Sequence, residues 1–323
     1  MRKRNVREWE IAVLGAGTMG TSVAQFFATC GHRVFLYNRT AKNLDKAVVQ
    51  IENNLTAMSS MGEISKDEIP LILGRICGCN DLDYALSSAD FVIENLAEQE
   101  DVKKQIFTKM DDCCGDDVIF SSDTSTMNIY DFVSVSHPER LIITHFFNPA
   151  HVMPLVEIVR GPQTSDESVA LAKELMESCG KTTAVLNKAI PGFILNRITM
   201  AVFREASYIV ENGWASPEDI DKAITATFGP RYAFEGPFAL SDFGGLDIYE
   251  RLATLLLPEL SADKTCPEFL KEMISSGKLG VKSGEGFYHY EDSAQAHGDR
   301  DTRIMYMIRA IREMNEKLKK EKP

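Results

Sequence analysis

The chain has 323 residues, 44% hydrophobic and 25% charged. That is ordinary globular composition, and the length is large for one core, so one larger and one smaller domain are expected. The formal net charge of −12 leaves no basic surplus to neutralise phosphates and excludes nucleic acid as a partner class, while an anionic small molecule held by a local cation remains allowed.

Seven cysteines (Cys30, Cys77, Cys79, Cys113, Cys114, Cys179 and Cys266) are odd in number and scattered. They read as buried or incidental thiols in a reducing cytoplasm, with neither a disulfide framework nor zinc spacing, so no metal is expected. No run approaches the ~20 apolar residues that span a bilayer, so no membrane partner is expected. The basic start, Met1 to Glu10, lacks the apolar stretch of a signal peptide and reads as a solvated tail.

In chain order, Ile11 to Leu14 reads as a strand, Met19 to Cys30 as a helix and Val34 to Tyr37 as a second strand. A long helix runs from about Lys42 to Ser59. Phe91-Val92-Ile93, Val118-Ile119-Phe120 and Leu141-Ile142-Ile143 are further apolar runs, each flanked by a charged helical stretch. Strands that are apolar throughout and alternate with helices imply a parallel sheet covered on both faces. The predicted fold class is therefore α/β, a doubly wound, Rossmann-like parallel sheet over residues 1–188, followed by a smaller all-α domain. The helical domain is expected over 189–291. It opens at Pro191-Gly192, continues at helical period through Ile194, Leu195, Ile198 and Val202, and restarts at Ser216-Pro217, a helix cap with proline in the first turn. Leu252 to Leu257 and Phe269 to Ile274 read as further helices. Residues 292–323 read as a charged helical extension that frays into solvent.

Gly15-Ala16-Gly17-Thr18-Met19-Gly20 matches G-x-G-x-x-G directly after a strand and at the opening of a helix. Gly15 permits the tight turn, Gly17 lets the backbone approach a pyrophosphate, and Gly20 allows close helix–strand packing. Phosphates would then sit with Thr18 and Met19 on the helix N-terminus, where free N–H groups and the dipole favour an anion. The second strand ends in Asn38-Arg39, where an acidic residue would be expected to accept from the ribose hydroxyls of NAD. An amide beside a guanidinium removes repulsion toward a 2′-phosphate, so the cofactor is NAD or NADP, with the pair tilting toward NADP. Arg39 stacked on adenine would suit NAD equally.

His145 closes the Leu141–Thr144 strand, at the sheet edge where open α/β folds bind ligands. Oxidising a secondary alcohol needs a base for the O–H proton, and histidine suits the task. Glu157, twelve residues on, reaches the other ring nitrogen if the intervening Pro149–Pro154 loop turns back. Ser125 and Asn196 are short polar groups suited to hydrogen-bonding a substrate oxygen. Each also has a structural reading: a satisfied histidine, an edge-strand charge, a helix cap and a buried amide at a domain joint.

Ser121-Ser122-Asp123-Thr124-Ser125-Thr126, His145-Phe146-Phe147-Asn148-Pro149 with Pro154-Leu155-Val156-Glu157, Pro191 to Arg197, and Gly284-Glu285-Gly286-Phe287-Tyr288 resemble the L-3-hydroxyacyl-CoA dehydrogenase family. The resemblance runs in register from about Glu10 to Tyr290. It implies that His145, Glu157, Ser125 and Asn196 are the catalytic set and that Glu94, Lys103 and Asn148 lie near the cofactor. It also implies an oxidoreductase acting at the 3-hydroxy position of a short-chain acyl-CoA, and a homodimer made through the helical domain. Asp123 departs from the family pattern, which commonly has an asparagine there.

Two further departures concern the substrate. Acyl-CoA members usually carry lysines after the second helix, but here Met58-Ser59-Ser60-Met61-Gly62-Glu63 brings no cation before Lys66. Arg231, in Gly229-Pro230-Arg231-Tyr232-Ala233-Phe234 before Gly236-Pro237-Phe238, is similar to the branch containing L-gulonate 3-dehydrogenase (lambda-crystallin) and carnitine dehydrogenase. There an arginine suits the carboxylate of a free 3-hydroxy acid. A salt bridge to Glu235 or Asp242 is the structural alternative for Arg231. Phe146-Phe147 and residues 278–290 point back to the acyl-CoA branch, so a short-chain 3-hydroxyacyl-CoA stands first and a free 3-hydroxy acid second. A non-catalytic, crystallin-like protein on this scaffold is a third reading, opposed by the intact set of four.

Overall fold

The computed structural model describes residues 5–321; the first four residues of the basic start and the last two of the charged tail lie outside them. By its internal contacts the chain divides into two compact units after Arg197.

In the first unit β1 (Ile11–Leu14) leads into α1 (Thr18–Thr29) and β2 (Val34–Tyr37), then α2 (Ala41–Ser60), α3 (Glu68–Leu73) and β3 (Ile76–Cys79). There follow α4 (Leu82–Leu86), β4 (Phe91–Glu94), α5 (Glu100–Cys113), β5 (Ile119–Ser122), β6 (Leu141–Phe146), β7 (Leu155–Arg160), α6 (Asp166–Ser178) and β8 (Thr182–Leu186). The strands form one eight-stranded sheet in the order β3-β2-β1-β4-β5-β6-β7-β8. β1, β4, β5 and β6 are buried along their whole length. This is why they read as unbroken apolar runs: helices cover both faces and no side of the strand meets water. One apolar cluster joins the sheet to α1, α2 and α6, and the other joins it to α4 and α5.

Two features correct the sequence reading. The sheet is not wholly parallel: β7 runs antiparallel to β6, while β8 is parallel to β7. A short loop after β6 returns the chain directly alongside it, whereas a parallel crossover needs a dozen or more residues. The start of the chain is also not all solvated tail, because Val6 and Trp9 are 2% and 5% exposed, in and just after a single 3-10 turn that packs on α6.

The second unit carries the rest of α7 (Leu195–Glu211), then α8 (Pro217–Tyr232), α9 (Pro237–Gly244), α10 (Leu246–Leu256), α11 (Glu268–Ser275) and the long α12 (Ser293–Glu321). Ser216 caps α8 by accepting from Asp219 N. No helix among the described residues is long and apolar enough to cross a membrane.

Candidate active site

The strand order reverses between β1 and β4, and ligands of open α/β sheets bind in the crevice at such a switch point. Both strands end there. Gly15 follows β1 with φ +118°, and a Cβ on it would meet the carbonyl oxygen of Asn95, just after β4, at 2.5 Å. A Cβ on Gly20 would fall on the carbonyl of Gly15. Gly17, the α1 N-cap, is different: nothing lies within 4 Å of where its Cβ would stand, and no side chain caps the helix. Backbone N–H groups thus open onto free space at the positive end of a helix dipole, which suits a pyrophosphate. Asn95 Oδ1 is buried beside this loop without a partner, an acceptor that the residues present leave for a bound group.

His145 lies opposite Glu157 in the β6–β7 register. Its Nδ1 is 2.8 Å from Glu157 Oε2, and the two residues are 5% and 0% exposed. A carboxylate only accepts, so Nδ1 donates to it and Nε2 is the ring nitrogen left for a substrate. The other carboxylate oxygen, Oε1, accepts from Ile194 N at 3.0 Å and Leu195 N at 2.9 Å. These N–H groups belong to the start of α7, whose dipole favours an anion. The ring of His145 packs against Phe147 and Phe193, with centroids 4.5 and 5.5 Å away.

Phe193 to Asn196 ties the site together. Phe193 has φ +49°, the one described non-glycine residue with positive φ, and is 1% exposed. For an aromatic residue this backbone costs about 1–3 kcal/mol and persists where its surroundings demand it. The bend aims the Phe193 ring at His145, the next two N–H groups at Glu157, and Asn196 Nδ2 at the carbonyl of Ser125, 3.2 Å away.

Ser125 follows β5, where Glu98 accepts from Ser125 N at 2.8 Å and from Thr124 Oγ1 at 2.9 Å. Lys103 Nζ reaches Glu98 at 3.3 Å and Glu94 at 2.8 Å. Burial acts to raise Glu98, but the Ser125 N–H and the Lys103 ammonium outweigh it and hold the carboxyl below its ordinary range. Glu94 is spent inside the protein: it also accepts from Ser122 Oγ at 2.6 Å and Leu96 N at 2.6 Å. Glu94 and Lys103 therefore form a buried pair that props up the site. Glu98, more exposed, is the member of this network that sequence reading missed. Its sequence surroundings carry no motif, and only the fold brings it to Ser125.

Two matches identify the chain. The 3-hydroxyacyl-CoA dehydrogenase NAD binding domain matches residues 10–189, and the 3-hydroxyacyl-CoA dehydrogenase C-terminal domain matches residues 192–290. The chain belongs to the 3-hydroxyacyl-CoA dehydrogenase family. Among its relatives, 5-formyl-3-hydroxy-2-methylpyridine 4-carboxylate 5-dehydrogenase of Mesorhizobium japonicum is 34% identical over 93% of this chain and 97% of that protein. The 3-hydroxybutyryl-CoA dehydrogenase of Clostridioides difficile is 35% identical over 87% of this chain and 99% of its own. The crystal structure of an NAD+-dependent dehydrogenase of the same pyridine carboxylic acid aligns with a TM-score of 0.86 and 31% identity, covering 94% of this chain and 99% of that one. The protein is thus an NAD-dependent oxidoreductase of the 3-hydroxyacyl-CoA dehydrogenase type.

The remaining expected residues of this family member are dispersed. Asn38 uses its carbonyl on Thr40 N at 3.1 Å, which leaves the exposed Arg39 as the cation at the end of β2. Asn148 is exposed and precedes a cis bond to Pro149. Asp123 accepts from Phe146 N at 2.7 Å and Asn95 Nδ2 at 2.6 Å. Burial pushes its carboxyl well above the ordinary range, and the neighbouring Glu94 adds to the rise. Arg231, in the last turn of α8 and exposed, forms no ion pair among the described residues, so the salt bridge to Glu235 or Asp242 is not made. No group of three or more His, Cys, Asp or Glu among the described residues is placed to hold a metal ion.

Proposed function

We propose that this protein moves a hydride between NAD and the hydroxyl- or keto-bearing C3 carbon of a small acyl substrate, with His145 as the acid–base residue. The reading rests first on the 2.8 Å His145–Glu157 pair, buried and anchored from behind by the α7 N-terminus. In the oxidising direction Nε2 of His145 takes the hydroxyl proton as hydride leaves carbon. Glu157 holds the tautomer and offsets the charge of the imidazolium, the role of the acid in a triad. Ser125 and Asn196 hydrogen-bond the substrate oxygen in this reading, as its charge shifts. NAD supplies the hydride acceptor, with Gly15, Gly17, Thr18, Met19 and Gly20 holding its pyrophosphate and Asn95, Glu98, Lys103 and Asn148 beside or behind the rest. Arg39 is the residue through which NADP would also be accepted.

For the acyl end, a small carboxylate is the reading we favour. It is supported by the unpaired Arg231, by the lack of any cation between α2 and Lys66, and by a full-length relative named for a pyridine carboxylate. A short-chain L-3-hydroxyacyl-CoA is the second reading, supported by the 3-hydroxybutyryl-CoA dehydrogenases that match at similar identity. The deciding experiment crosses acetoacetyl-CoA and free 3-hydroxy or pyridine carboxylic acids with NAD(H) and NADP(H). Turnover of the CoA ester alone would reverse the preference, and turnover of neither class would favour a non-catalytic scaffold role. Arg231→Ala should raise KM for a free acid about tenfold or more through loss of a charged hydrogen bond, and leave a CoA ester nearly unchanged.

The apolar side chains of the second unit support a homodimer. Phe238 and Phe243 are 87% and 83% exposed, and Leu246, Leu255 and Leu257 are exposed as well, more apolar surface than a monomer usually leaves in water. The free thiols accord with a reducing, cytoplasmic setting.

A further inference from the structure

Cys30 and Cys179 are far apart in sequence and carry no motif, yet the fold sets them side by side. Cys30 is the exposed C-cap of α1, and Cys179 is the half-buried C-cap of α6. The Cys30 thiol donates to the Cys179 carbonyl oxygen, 3.5 Å away. Cys179 Sγ is 3.4 Å from Nε2 of His32, whose Nδ1 is 2.9 Å from the carbonyl of Trp9. A carbonyl only accepts, so Nδ1 is protonated and Nε2 faces the sulfur. Lys181 stands nearby, its ammonium donating to Ala150 O and Met153 O at 2.5 and 2.6 Å.

The arrangement is electrically polarised. Hydrogen bonding from Cys30 holds Cys179 down at about 5 against the opposing effect of burial, and His32 adds to this. Cys30 is pushed up, first by the same hydrogen bond and then by burial. His32 is raised although burial opposes it, because it faces the Cys179 sulfur. Burial pulls Lys181 down to about 8, with both thiols acting the other way. The result is an acidified Cys179 sulfur 3.4 Å from an imidazole nitrogen, with the Cys30 thiol 3.5 Å from the same residue's carbonyl: the layout of an attacking and a resolving sulfur.

We propose that Cys179 and Cys30 form a peroxide-sensitive thiol pair that closes to an intramolecular disulfide. The Cys179 thiolate attacks the terminal oxygen of a hydroperoxide. An S–O bond forms, the O–O bond breaks, and the leaving alkoxide or hydroxide takes the proton of the His32 imidazolium. The Cys30 sulfur then attacks the sulfenic sulfur of Cys179; the S–S bond forms as the S–O bond breaks, and the departing hydroxide leaves with the Cys30 proton as water. Two thiols lose two electrons and the hydroperoxide gains them. The other thiols lack this setting. Cys114 is pushed up to about 12 and Cys79 to about 11, both mainly by burial, and Cys266 is exposed with no cysteine partner.

The test uses the full chain treated with stoichiometric hydrogen peroxide, alkylated and mapped by peptide mass spectrometry. A Cys30–Cys179 cross-linked peptide, reversed by dithiothreitol, is expected, with loss of two of the seven alkylatable thiols. In Cys30→Ser the sulfenic acid on Cys179 should be trapped by dimedone, and His32→Asn should slow cross-linking by about tenfold at neutral pH. All seven thiols remaining alkylatable, or disulfides elsewhere with Cys30 and Cys179 still free, would overturn the proposal. The readout needs no turnover, so it stands or falls apart from the functional reading.

Discussion

The two units solve burial differently. Among the described residues, every buried apolar side chain lies between Val6 and Phe193, in the sheet unit, while the helical unit buries only Ser207 and Ser261. A sheet covered by helices on both faces closes a core by itself. In the second unit α7, α10 and α11 are amphipathic but bury no apolar side chain completely, so their stability depends on what packs on them. Chemistry that needs groups held to within fractions of an ångström is accordingly housed in the self-sufficient unit, on strand ends and one strained bend.

That contrast can be broken by substitution. The largest effect should come from His145→Ala, which is expected to lower kcat by about 10²–10⁴-fold while NAD still binds; fluorescence titration with stopped-flow turnover checks both halves, and undiminished turnover would sink the assignment. Lys103→Met leaves Glu94 buried without its counter-ion. It should cost about 3–5 kcal/mol of stability, read from the denaturation midpoint, and a shift within error would mean that the pair is not a structural prop. In the helical unit, Phe243→Asp should leave the thermal midpoint of the sheet unit nearly unchanged but shift the particle from dimer to monomer in sedimentation. A wild-type monomer would remove the proposed occupant of that apolar face.

Asp123→Asn should have the smallest effect, and it depends on pH. The carboxyl of Asp123 is raised in the folded chain relative to the unfolded one. Its contribution is therefore fully present at low pH and is lost as pH rises through the folded value. Asparagine does not titrate, so the melting temperature of the variant should gain on the parent from mildly acidic to mildly alkaline pH. A parent that gains on the variant in that direction would contradict the raised carboxyl.

Much of this was legible before the fold was known. The glycine loop, the strands from Ile11 and Leu141 and the capped helix at Ser216 are local patterns, and each stands where the residues put it. The strand Ile76–Cys79 was not legible, because Cys77-Gly78-Cys79 has neither alternation nor an apolar run. The antiparallel β7 and the edge strand β8 were missed for another reason: pairing direction depends on how tightly the preceding loop turns. Glu98 was invisible, one acid among several in Glu98-Gln99-Glu100-Asp101.

By itself the sequence determined the architecture and the residue types at the site, since strand and helix periods, caps and glycine requirements act over a few residues. Only the tertiary structure decided which groups meet. It set Glu157 against His145, bent Phe193 so that Asn196 reaches Ser125, spent Glu94 on Lys103, and brought Cys30 to Cys179. Such contacts depend on where the chain reverses and on which buried polar groups must be satisfied, and both are properties of the whole fold.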